Sequence, residues 1–595
     1  MARSRSRSLR ILAFLLAHLT GCWTPICNLL FRSARILLSG FRSLCQWTDN
    51  TVFDLARQFR LTYLPPLMVY TAAGISGLTG IVGTFFVKDY LGLSAEFLAA
   101  LGFWIGIPWA LKMPLGHLVD LFWRWKSILV FLGASLITAS LLIMLGLLST
   151  PATLAEFMSL KAWFVLSALL APIGYVVQDV IADGMTVEAV PTVTSDGRPY
   201  DPKTVKLMHT TMQLLGRVAI VAGGIAVALI NVLMFNGAAD MAASVKVAVY
   251  IRIYQMALII PVISVLGVGL ASALKQRQTR RLMTFGMSKE KAKGLMDFHG
   301  ECPLPNWWIL GGGLGFVLFT LTMGLAQIPY NQEIIFAGSM AIVMFLMTRL
   351  LKELSPTARR ALVQTAIIIF VFRALPTPGA GSTWWQIDEL GFDQQFISTL
   401  SLIAGGLALI GMFIFRRFMA ERSIAYVVGF LTIVGTALSL PILGMYYGLH
   451  QWTSSVTGGI VNARFIAIVD TALESPLGQV AMIPMLAWIA NSAPAHLKAT
   501  FFAVMASFTN LALSLSNLGT KYLNQIFTVT REVRDSLTGA VKVPADYSDL
   551  GMLLITVTVL GLLLPMLTIL LLYRPPQLRS IKMKSISLAL PARRG

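Results

Sequence analysis

The chain has 595 residues, of which 56% are hydrophobic and 12% are charged, whereas about 25% of residues are charged in an ordinary soluble domain. Apolar runs of about 20 residues recur along it, and each is long enough to cross a bilayer core of about 30 Å. A soluble fold cannot bury that many apolar helices, so the composition predicts an all-α polytopic membrane protein. The four cysteines lack zinc or redox spacing, so we expect no disulfide framework, metal site or cofactor.

The amino-terminal segment is basic and contains the sequence MARSRSRSLRILAFLLAHLTGCWTPICNLLFRSARILLSGFRS. It begins like a signal peptide, with a basic region before an apolar run, but it lacks a clear small-x-small cleavage site. As a span it would place a basic cluster outside the membrane, against the charge rule. We therefore expect residues 1–60 to lie as amphipathic helices on an anionic inner leaflet, which accounts for much of the net charge of +20 without nucleic acid. An organellar targeting segment is the alternative.

Hydropathy predicts fourteen spans, arranged as two sets of six with a hairpin of two between them. We number the spans of the two sets one to six and seven to twelve. The predicted segments are a first bundle at 61–274, a basic loop at 275–306, the hairpin at 307–351, a second bundle at 352–574 and a basic tail at 575–595. Lys and Arg collect in alternate loops, which predicts that both termini are cytoplasmic. We expect the cell (inner) membrane, with an organellar membrane as the alternative.

One short pattern occurs twice, as FFVKDYLGLSAEFLAAL at 85–101 and as WWQIDELGFDQQFISTL at 384–400. An acid, a Leu-Gly pair, a Phe and a Leu keep the same spacing, so Gly92 corresponds to Gly391. These joints are the first outward-facing loops of the two sets, which predicts that the halves are parallel repeats. Parallel six-helix halves resemble the major facilitator architecture, in which substrate binds between the halves near the midplane. The alternative is that two short loops converged on a Leu-Gly turn.

Gly and Pro interrupt the spans that enter both joints, in AAGISGLTGIVG of span one and ALPTPGAGSTWW of span seven. Interruptions at corresponding places point to a transporter's binding site, because a broken helix frees backbone groups to face a ligand. Close packing through small residues is the alternative, and for span one both interpretations stay open. In span seven the prolines and glycines predict a real break, and we expect the adjacent Trp384 and Trp385 to contact substrate.

Four acidic residues lie inside the predicted spans, where ionisable groups are costly and are expected to face a water-filled path. Asp179 and Asp183 share one face of span four, and Asp470 and Glu474 repeat that spacing in span ten. The pairs sit at different depths and are not strict equivalents, although both can line one cavity. Each pair can hold one proton between two carboxylates, so we expect these residues to carry a coupling proton.

Basic and polar residues inside the spans are candidates for substrate binding. Arg217 lies about 20 Å into span five, near the midplane, and Arg373 borders the break in span seven. We expect these guanidinium groups to anchor a carboxylate or phosphate of the substrate, with Gln479 of span ten as a further contact. The alternative is that the acids and arginines pair off as salt bridges that hold the helices together.

The loop between spans two and three, PWALKMPLGHLVDLFWRWKS, resembles the loop signature of the facilitator superfamily. Gly116, Asp120, Arg124 and Lys126 occupy its Gly, Asp and basic positions. The resemblance implies that the Asp and the basic residues brace a cytoplasmic gate through charge pairs and a helix end. We expect Glu188, at the cytoplasmic end of span four, to join this gate through Arg124 or Lys126.

Three longer stretches resemble the folate–biopterin transporter family: KDYLGLSAEFLAALGFWIGIPWALKMPLGHLVD, QDVIADGMTVEAV and GQVAMIPMLAWIANSAPAHLKATFFAVMASFTNLALSLSNLG. The chain departs from that family in three ways. Lys498 stands where an acid is expected, the loop after Asp120 is short, and the hairpin is extra to twelve helices. The acid pattern of span four and the fourteen-span layout are also similar to muropeptide permeases. The resemblance implies a solute transporter, with a folate or pteridine as the expected substrate.

Two function classes follow from the sequence. The first is a secondary active, proton-coupled transporter that moves a polar or anionic organic solute by alternating access. The second is a non-transporting membrane sensor or assembly factor on the same fold. No nucleotide-binding motif, nucleophile elbow or His-rich motif is visible, so we do not expect an enzyme. The expected partners are a small-molecule solute and anionic membrane lipids, not nucleic acid, and we expect a monomer.

Overall fold

The computed structural model describes residues 59–91, 93–110, 112–191, 200–237, 243–284, 288–291, 305–326, 328–352, 355–415, 418, 422–478, 480, 498–534 and 541–572. The chain divides into two compact units, Met1–Arg60 and Leu61–Gly595, and the architecture below is that of the second. The predicted amphipathic helices, the basic tail and Gln479 lie outside the described residues, as do the side chains of Asp120 and Arg124.

The first predicted bundle is helical throughout its described part. Its helices are α1 (Leu64–Ile75), α2 (Gly80–Phe86), α3 (Ala95–Ala110), α4 (Lys112–Leu121), α5 (Lys126–Ser149), α6 (Pro151–Phe157), α7 (Leu160–Glu188), α8 (Pro202–Met234), α9 (Ala243–Ala257) and α10 (Ile259–Thr284). A proline in the first turn of α1 costs no hydrogen bond, because that N–H has no partner within a helix. A 3₁₀ turn at Ser76–Thr79 separates α1 from α2 inside span one.

The hairpin and the second predicted bundle follow. Their elements are α11 (Trp307–Leu325), α12 (Asn331–Leu351), α13 (Pro356–Arg373), α14 (Ala380–Asp388), α15 (Gln394–Ile414), α16 (Ile424–Tyr446), α17 (Leu449–Val456), α18 (Ala463–Glu474), α19 (Lys498–Ile526), β1 (Val533–Arg534), β2 (Val541–Val543) and α20 (Leu550–Leu572). Strands β1 and β2 pair antiparallel in the loop between α19 and α20, a small exception to the predicted all-helical fold.

Ten helices in the described part of the chain are long and apolar enough to cross a membrane. They correspond to predicted spans one, three to six, eight, nine and twelve and to both helices of the hairpin. The other four predicted spans are not among them: α3 has 16 residues, span seven is split into α13 and α14, only part of span ten is described, and α19 carries many polar side chains. The fourteen-span count therefore stays a prediction.

Helices of the two predicted bundles meet along two seams, α3 with α19 and α8 with α15. In the first seam a methyl group added at Gly102 would lie 3.2 Å from the Asn517 side chain. The Asn510 amide donates to the Trp109 carbonyl at 2.9 Å. These contacts bring spans two and eleven together, so the membrane-buried amides bind across helices as is common in such bundles.

The hairpin helices α11 and α12 pack against each other and cover the α3–α19 seam. The Gln332 side chain donates to the Ala100 carbonyl of α3 at 3.1 Å. Glu333 accepts hydrogen bonds from Lys521, at 3.1 Å, and from Tyr522 on α19. The hairpin is thus attached to both predicted bundles at once.

The repeated joints differ in how much of them the structure describes. Gly391 has φ of +65°, a left-handed conformation that glycine adopts without steric cost. Gly92 lies outside the described residues, so the superposition of Gly92 on Gly391 stays a prediction.

Candidate functional site

Span seven is broken, as the sequence predicts. Helix α13 ends at Arg373, the next helix begins at Ala380, and residues 375–379 have no regular structure. Gly379 has φ of +75° and ψ of −167°, a combination that is almost confined to glycine. The break frees backbone N–H and C=O groups in the middle of a predicted span, where each needs a partner.

Polar side chains on one face of α19 supply those partners. Ser516 donates to the Leu375 carbonyl at 2.5 Å, Thr520 accepts from the Thr377 N–H at 2.9 Å, and Asn524 donates to the Pro378 carbonyl at 3.3 Å. The three residues repeat every four positions and so share one helix face. The protein itself therefore satisfies much of the broken backbone.

A cavity of about 600 Å³ lies beside this break, between the two predicted bundles. Its lining residues are Gly83, Thr84, Val87, Leu98, Phe164, Thr377, Pro378, Gly379, Ala380, Ser382, Thr383, Trp384 and Ile442. All of them are uncharged, and the volume falls in the range of about 300–1,000 Å³ that is typical of ligand pockets. The cavity offers hydroxyl groups and aromatic faces to a ligand.

The glycines of span one differ in their surroundings. A methyl group added at Gly74 would collide with the backbone of α8 near Gly223, so Gly74 allows two helices to pack closely. A methyl group added at Gly77, Gly80 or Gly83 would meet nothing within 4 Å. Close packing is therefore observed at Gly74, and the binding-site interpretation of the other glycines stays a prediction.

A cluster of charged residues lies between α1, α4, α7 and α8. The Lys112 ammonium is 2.6 Å from a carboxylate oxygen of Asp179 and 2.7 Å from one of Asp183. The Tyr70 hydroxyl donates to Asp183 at 2.6 Å. Arg217 adds a favourable electrostatic interaction with Asp179. The predicted acid pair of span four is therefore held by a lysine, a tyrosine and an arginine from three other helices.

This cluster and the cavity lie at different depths. Phe164 lines the cavity and Asp179 belongs to the cluster, and the two are about 22 Å apart along α7 at a rise of about 1.5 Å per residue. Lys112 begins α4, the helix that carries Gly116 and the backbone of Asp120. The cluster is thus close to the predicted cytoplasmic gate, and the cavity is close to the predicted outer side.

Arg373 and the tryptophans lie on either side of the broken segment. The Arg373 Nε atom is buried and has no hydrogen-bond partner within the described structure. Trp384 is 2% exposed and forms part of the cavity wall. Trp385 is also buried, but its ring packs on Tyr446 with centroids 5.7 Å apart, away from the lining of the cavity.

The predicted gate residues form a second charge cluster. Glu188 pairs with Lys126 and, at 3.4 Å, with Lys275 of α10. The Lys126 ammonium lies 4.4 Å above the Trp123 ring, which gives it a cation–π contact. The gate role of these residues stays a prediction.

The acids of span ten lie apart from the first cluster. Asp470 and Glu474 interact electrostatically, and the Asp470 Oδ1 atom is buried without a hydrogen-bond partner in the part that the structure describes. Arg464, at the start of α18, pairs with Asp393 at 3.3 Å and donates to the Gly391 carbonyl at 3.0 Å. Arg464 therefore connects the start of α18 to the second joint, residues 384–400.

Known proteins match parts of this chain in sequence. A family model described as the BT1 family matches residues 73–589. A Synechocystis sp. protein named folate-biopterin transporter is 24% identical over 208 residues, which are 35% of this chain and 38% of the relative. Folate transporter 2 of Plasmodium falciparum is 29% identical over 154 residues, 26% of this chain and 32% of the relative. The matches thus span less than half of either relative.

A solved structure has a similar fold. The crystal structure of a POT family transporter in complex with 5-aminolevulinic acid aligns with a TM-score of 0.51 and 13% identity. The alignment covers 85% of this chain and 94% of that chain. At this identity the likeness shows the fold alone.

Proposed function

Because the chain belongs to the BT1 family, we propose that this multi-pass membrane transporter is a proton-coupled secondary transporter of a polar or anionic organic solute. The solute we propose is a folate or pteridine-like molecule, in line with the names of the two curated relatives. A muropeptide-type solute is the alternative substrate.

The observation that carries this proposal is the cavity beside the break in span seven. Residues of α2, α3 and α7 line it from one predicted bundle, and residues 377–380 and 382–384 with Ile442 line it from the other. A site shared by two repeats can be opened first to one side and then to the other as the repeats tilt, which is the requirement of alternating access.

The cavity and Arg373 suit a solute with a planar ring and an acidic group. Trp384 and Phe164 offer aromatic surfaces on which a ring can stack. Arg373 ends α13 directly before the lining segment, and its buried Nε–H lacks a partner in the described structure. A carboxylate of the solute would supply that partner, since a guanidinium binds carboxylates through two parallel hydrogen bonds. Arg217 is the second proposed anchor, at the depth of the Lys112 cluster and not in the cavity lining.

Proton coupling is proposed for the cluster around Lys112. Lys112 balances the negative charge of Asp179 and Asp183, so a proton that binds either carboxylate weakens its attraction to the lysine. Lys112 is the first residue of α4, the helix that carries Gly116. A weaker attraction between Lys112 and the carboxylates therefore loosens the hold on this helix. Asp470 and Glu474 are proposed as a second acid pair on the same pathway.

The placement of the chain in the membrane is also a proposal. We propose two six-helix bundles with the hairpin beside them, fourteen spans in total and both termini in the cytoplasm. The basic loops support this orientation, because cytoplasmic loops collect Lys and Arg. We further propose a monomer in the cell (inner) membrane, with lipids and a small solute as its partners.

Uptake by proteoliposomes tests the proposed function. The purified protein is reconstituted, an inward proton gradient is imposed, and labelled folate, pterin, nucleoside and muropeptide are supplied in turn. We expect a folate or pterin to accumulate and a protonophore to abolish the accumulation. If a thermal-shift screen finds a ligand that never accumulates under any gradient, the protein is a sensor or an assembly factor instead.

A further inference from the structure

The ends of the two repeated joints contact each other. The Lys88 ammonium, one residue beyond Val87, lies 2.6 Å from Asp388 Oδ1, at the last residue of α14. The side chains are 11% and 24% exposed, so water screens the pair less than it would screen a surface pair. The Tyr547 hydroxyl donates to the other carboxylate oxygen of Asp388 at 2.5 Å. Burial raises the pKa of Tyr547, with Asp388 as a second cause, so the phenol stays a donor.

Arg531 lies in the same loop as Tyr547, between α19 and α20, and contacts the first predicted bundle. The Arg531 guanidinium donates to the Val87 carbonyl and lies 5.1 Å above the Trp384 ring. Arg531 is 3% exposed. Arg531 therefore stabilises the positions of Val87 and Trp384. Moving either of them away would leave the buried guanidinium charge less well compensated.

These contacts lie at one end of the cavity. Val87 and Trp384 both line it, and both are in contact with Arg531. Lys88 directly follows the first, and Asp388 lies one helical turn beyond the second. Lys and Arg collect in the loops at the opposite end of the helices, so this end lies on the proposed outer side.

Other polar pairs join the two predicted bundles at the same end. Gln525 donates to Glu96 at 2.6 Å, at the outer ends of spans eleven and two. Gln394 donates to the Tyr250 hydroxyl at 2.9 Å, at the outer ends of spans eight and six. The described outer ends are therefore in contact on several sides of the cavity.

We propose that Lys88, Asp388, Tyr547 and Arg531 form the outer gate of the cavity, closed in this structure. This inference rests on the proposed transport function, because it assigns the state in which the cavity is shut from outside. Opening the gate separates Lys88 from Asp388 and withdraws Arg531 from Val87. The pair then acts on the balance between closed and open states and does not touch the solute.

Cysteine accessibility tests the gate without any need for transport. The native cysteines are replaced by serine, and Thr84→Cys places a thiol in the cavity lining. A membrane-impermeant maleimide is added from outside, and the labelling rate is measured by mass spectrometry. We expect Lys88→Asp or Asp388→Lys to raise the rate about tenfold or more, because each reversal replaces attraction by repulsion and shifts the population toward the open state.

The double charge swap Lys88→Asp/Asp388→Lys separates gating from misfolding. It restores the attraction with inverted polarity, so we expect the labelling rate to return toward that of the parent. Glu156→Lys is the matched control, since it reverses an exposed charge on α6 that lies outside both joints. We expect it to leave the labelling rate unchanged.

Two outcomes would overturn the gate. In the first, the single reversals label at the parent rate although gel filtration shows folded protein. In the second, the swap stays as accessible as the single variants. If charge reversal prevents folding, Lys88→Gln and Asp388→Asn are measured in the same way, with a smaller increase expected and an unchanged rate as the contrary result. Failure of solute uptake alone would count against the proposed function and not against the gate.

Discussion

The ammonium group of Lys112 lies 2.6 Å from a carboxylate oxygen of Asp179, a residue 67 positions further along the chain. The same ammonium is 2.7 Å from Asp183. The side chains of Lys112 and Asp179 are 20% and 17% exposed, so the pair is largely removed from water. Breaking such a pair from one side leaves an uncompensated charge, which costs far more than the loss of a surface ion pair.

The first prediction is that Lys112→Gln lowers both stability and pH-driven uptake. Among the described residues, Asp179 and Asp183 then keep Arg217 and Tyr70 as partners, and we expect a loss of about 3 kcal/mol or more in unfolding free energy. The measurement is thermal unfolding in detergent. In the double variant Lys112→Gln/Asp179→Asn, we expect part of the stability to return, because one of the two negative charges is removed. The exposed Lys289→Gln serves as control, and equal losses in both lysine variants would contradict the assignment.

The second prediction concerns coupling. Asp179→Asn should abolish uptake driven by a proton gradient yet spare the exchange of labelled for unlabelled solute, since exchange moves no net proton. Both rates are measured in the same proteoliposomes at equal protein density. Glu156→Gln, on an exposed helix of the predicted outer side, is expected to change neither rate. Uptake that still responds to pH in Asp179→Asn and in Asp183→Asn would remove the coupling role and leave a salt bridge that holds helices together.

The third prediction concerns the solute anchor. Arg373→Lys should weaken binding of an anionic solute about tenfold, because a point charge replaces a planar group with two parallel donors. An uncharged analogue with the same ring should bind with nearly unchanged affinity, since it makes no such pair. Titration calorimetry of the purified variants measures both affinities. Equal loss for both ligands would mean that Arg373 supports the fold of the break and does not bind the acidic group.

The sequence anticipated the features that depend on local composition. The break after Arg373 was predicted correctly, because prolines and glycines cannot continue a helix. Membership of the folate–biopterin transporter group was also correctly predicted from three motifs. Both signals lie in contiguous stretches of chain, where no knowledge of the packing is needed.

What the sequence missed depends on distant parts of the chain. Hydropathy places Lys112 in the loop between spans two and three, but its long apolar stem lets the ammonium reach Asp179 inside the fold. Tyr70 gave no signal, because a tyrosine in an apolar helix is common. The polar residues of α19 could have been noticed, since Ser516, Thr520 and Asn524 recur every four positions among its many polar side chains. Their partners in span seven could not be identified without the packing.

The fourth prediction concerns the inner gate. Glu188→Gln should weaken the contacts of residue 188 with Lys126 and Lys275. These contacts connect the end of α7 to the first residue of α5 and to α10. Because the change alters the balance of conformations and not the cavity, we expect the transport rate to fall several-fold while solute affinity changes little. Single-turnover uptake and equilibrium binding are compared on one preparation. A parallel loss of binding would contradict a gate role for Glu188.

The fifth prediction tests the backbone of the break. Gly379 adopts φ of +75° and ψ of −167°. A residue with a Cβ atom is strained in this conformation, at a cost of about 1–3 kcal/mol in stability. A methyl group there would also lie 3.0 Å from the Asn524 amide nitrogen, the group that donates to the Pro378 carbonyl. We therefore expect Gly379→Ala to lower the Tm and to impair uptake together.

Gly435→Ala is the matched control for this change. Gly435 lies within helix α16, and an added methyl group would meet nothing within 4 Å. In a helix interior alanine is favoured over glycine by about 0.5–1 kcal/mol, so the same substitution should leave Tm unchanged or raise it. Thermal unfolding of both variants is followed in one detergent. A Gly379→Ala protein as stable as the control would show that residues 374–379 relax to another conformation, and the hydrogen bonds from α19 would then not fix the break.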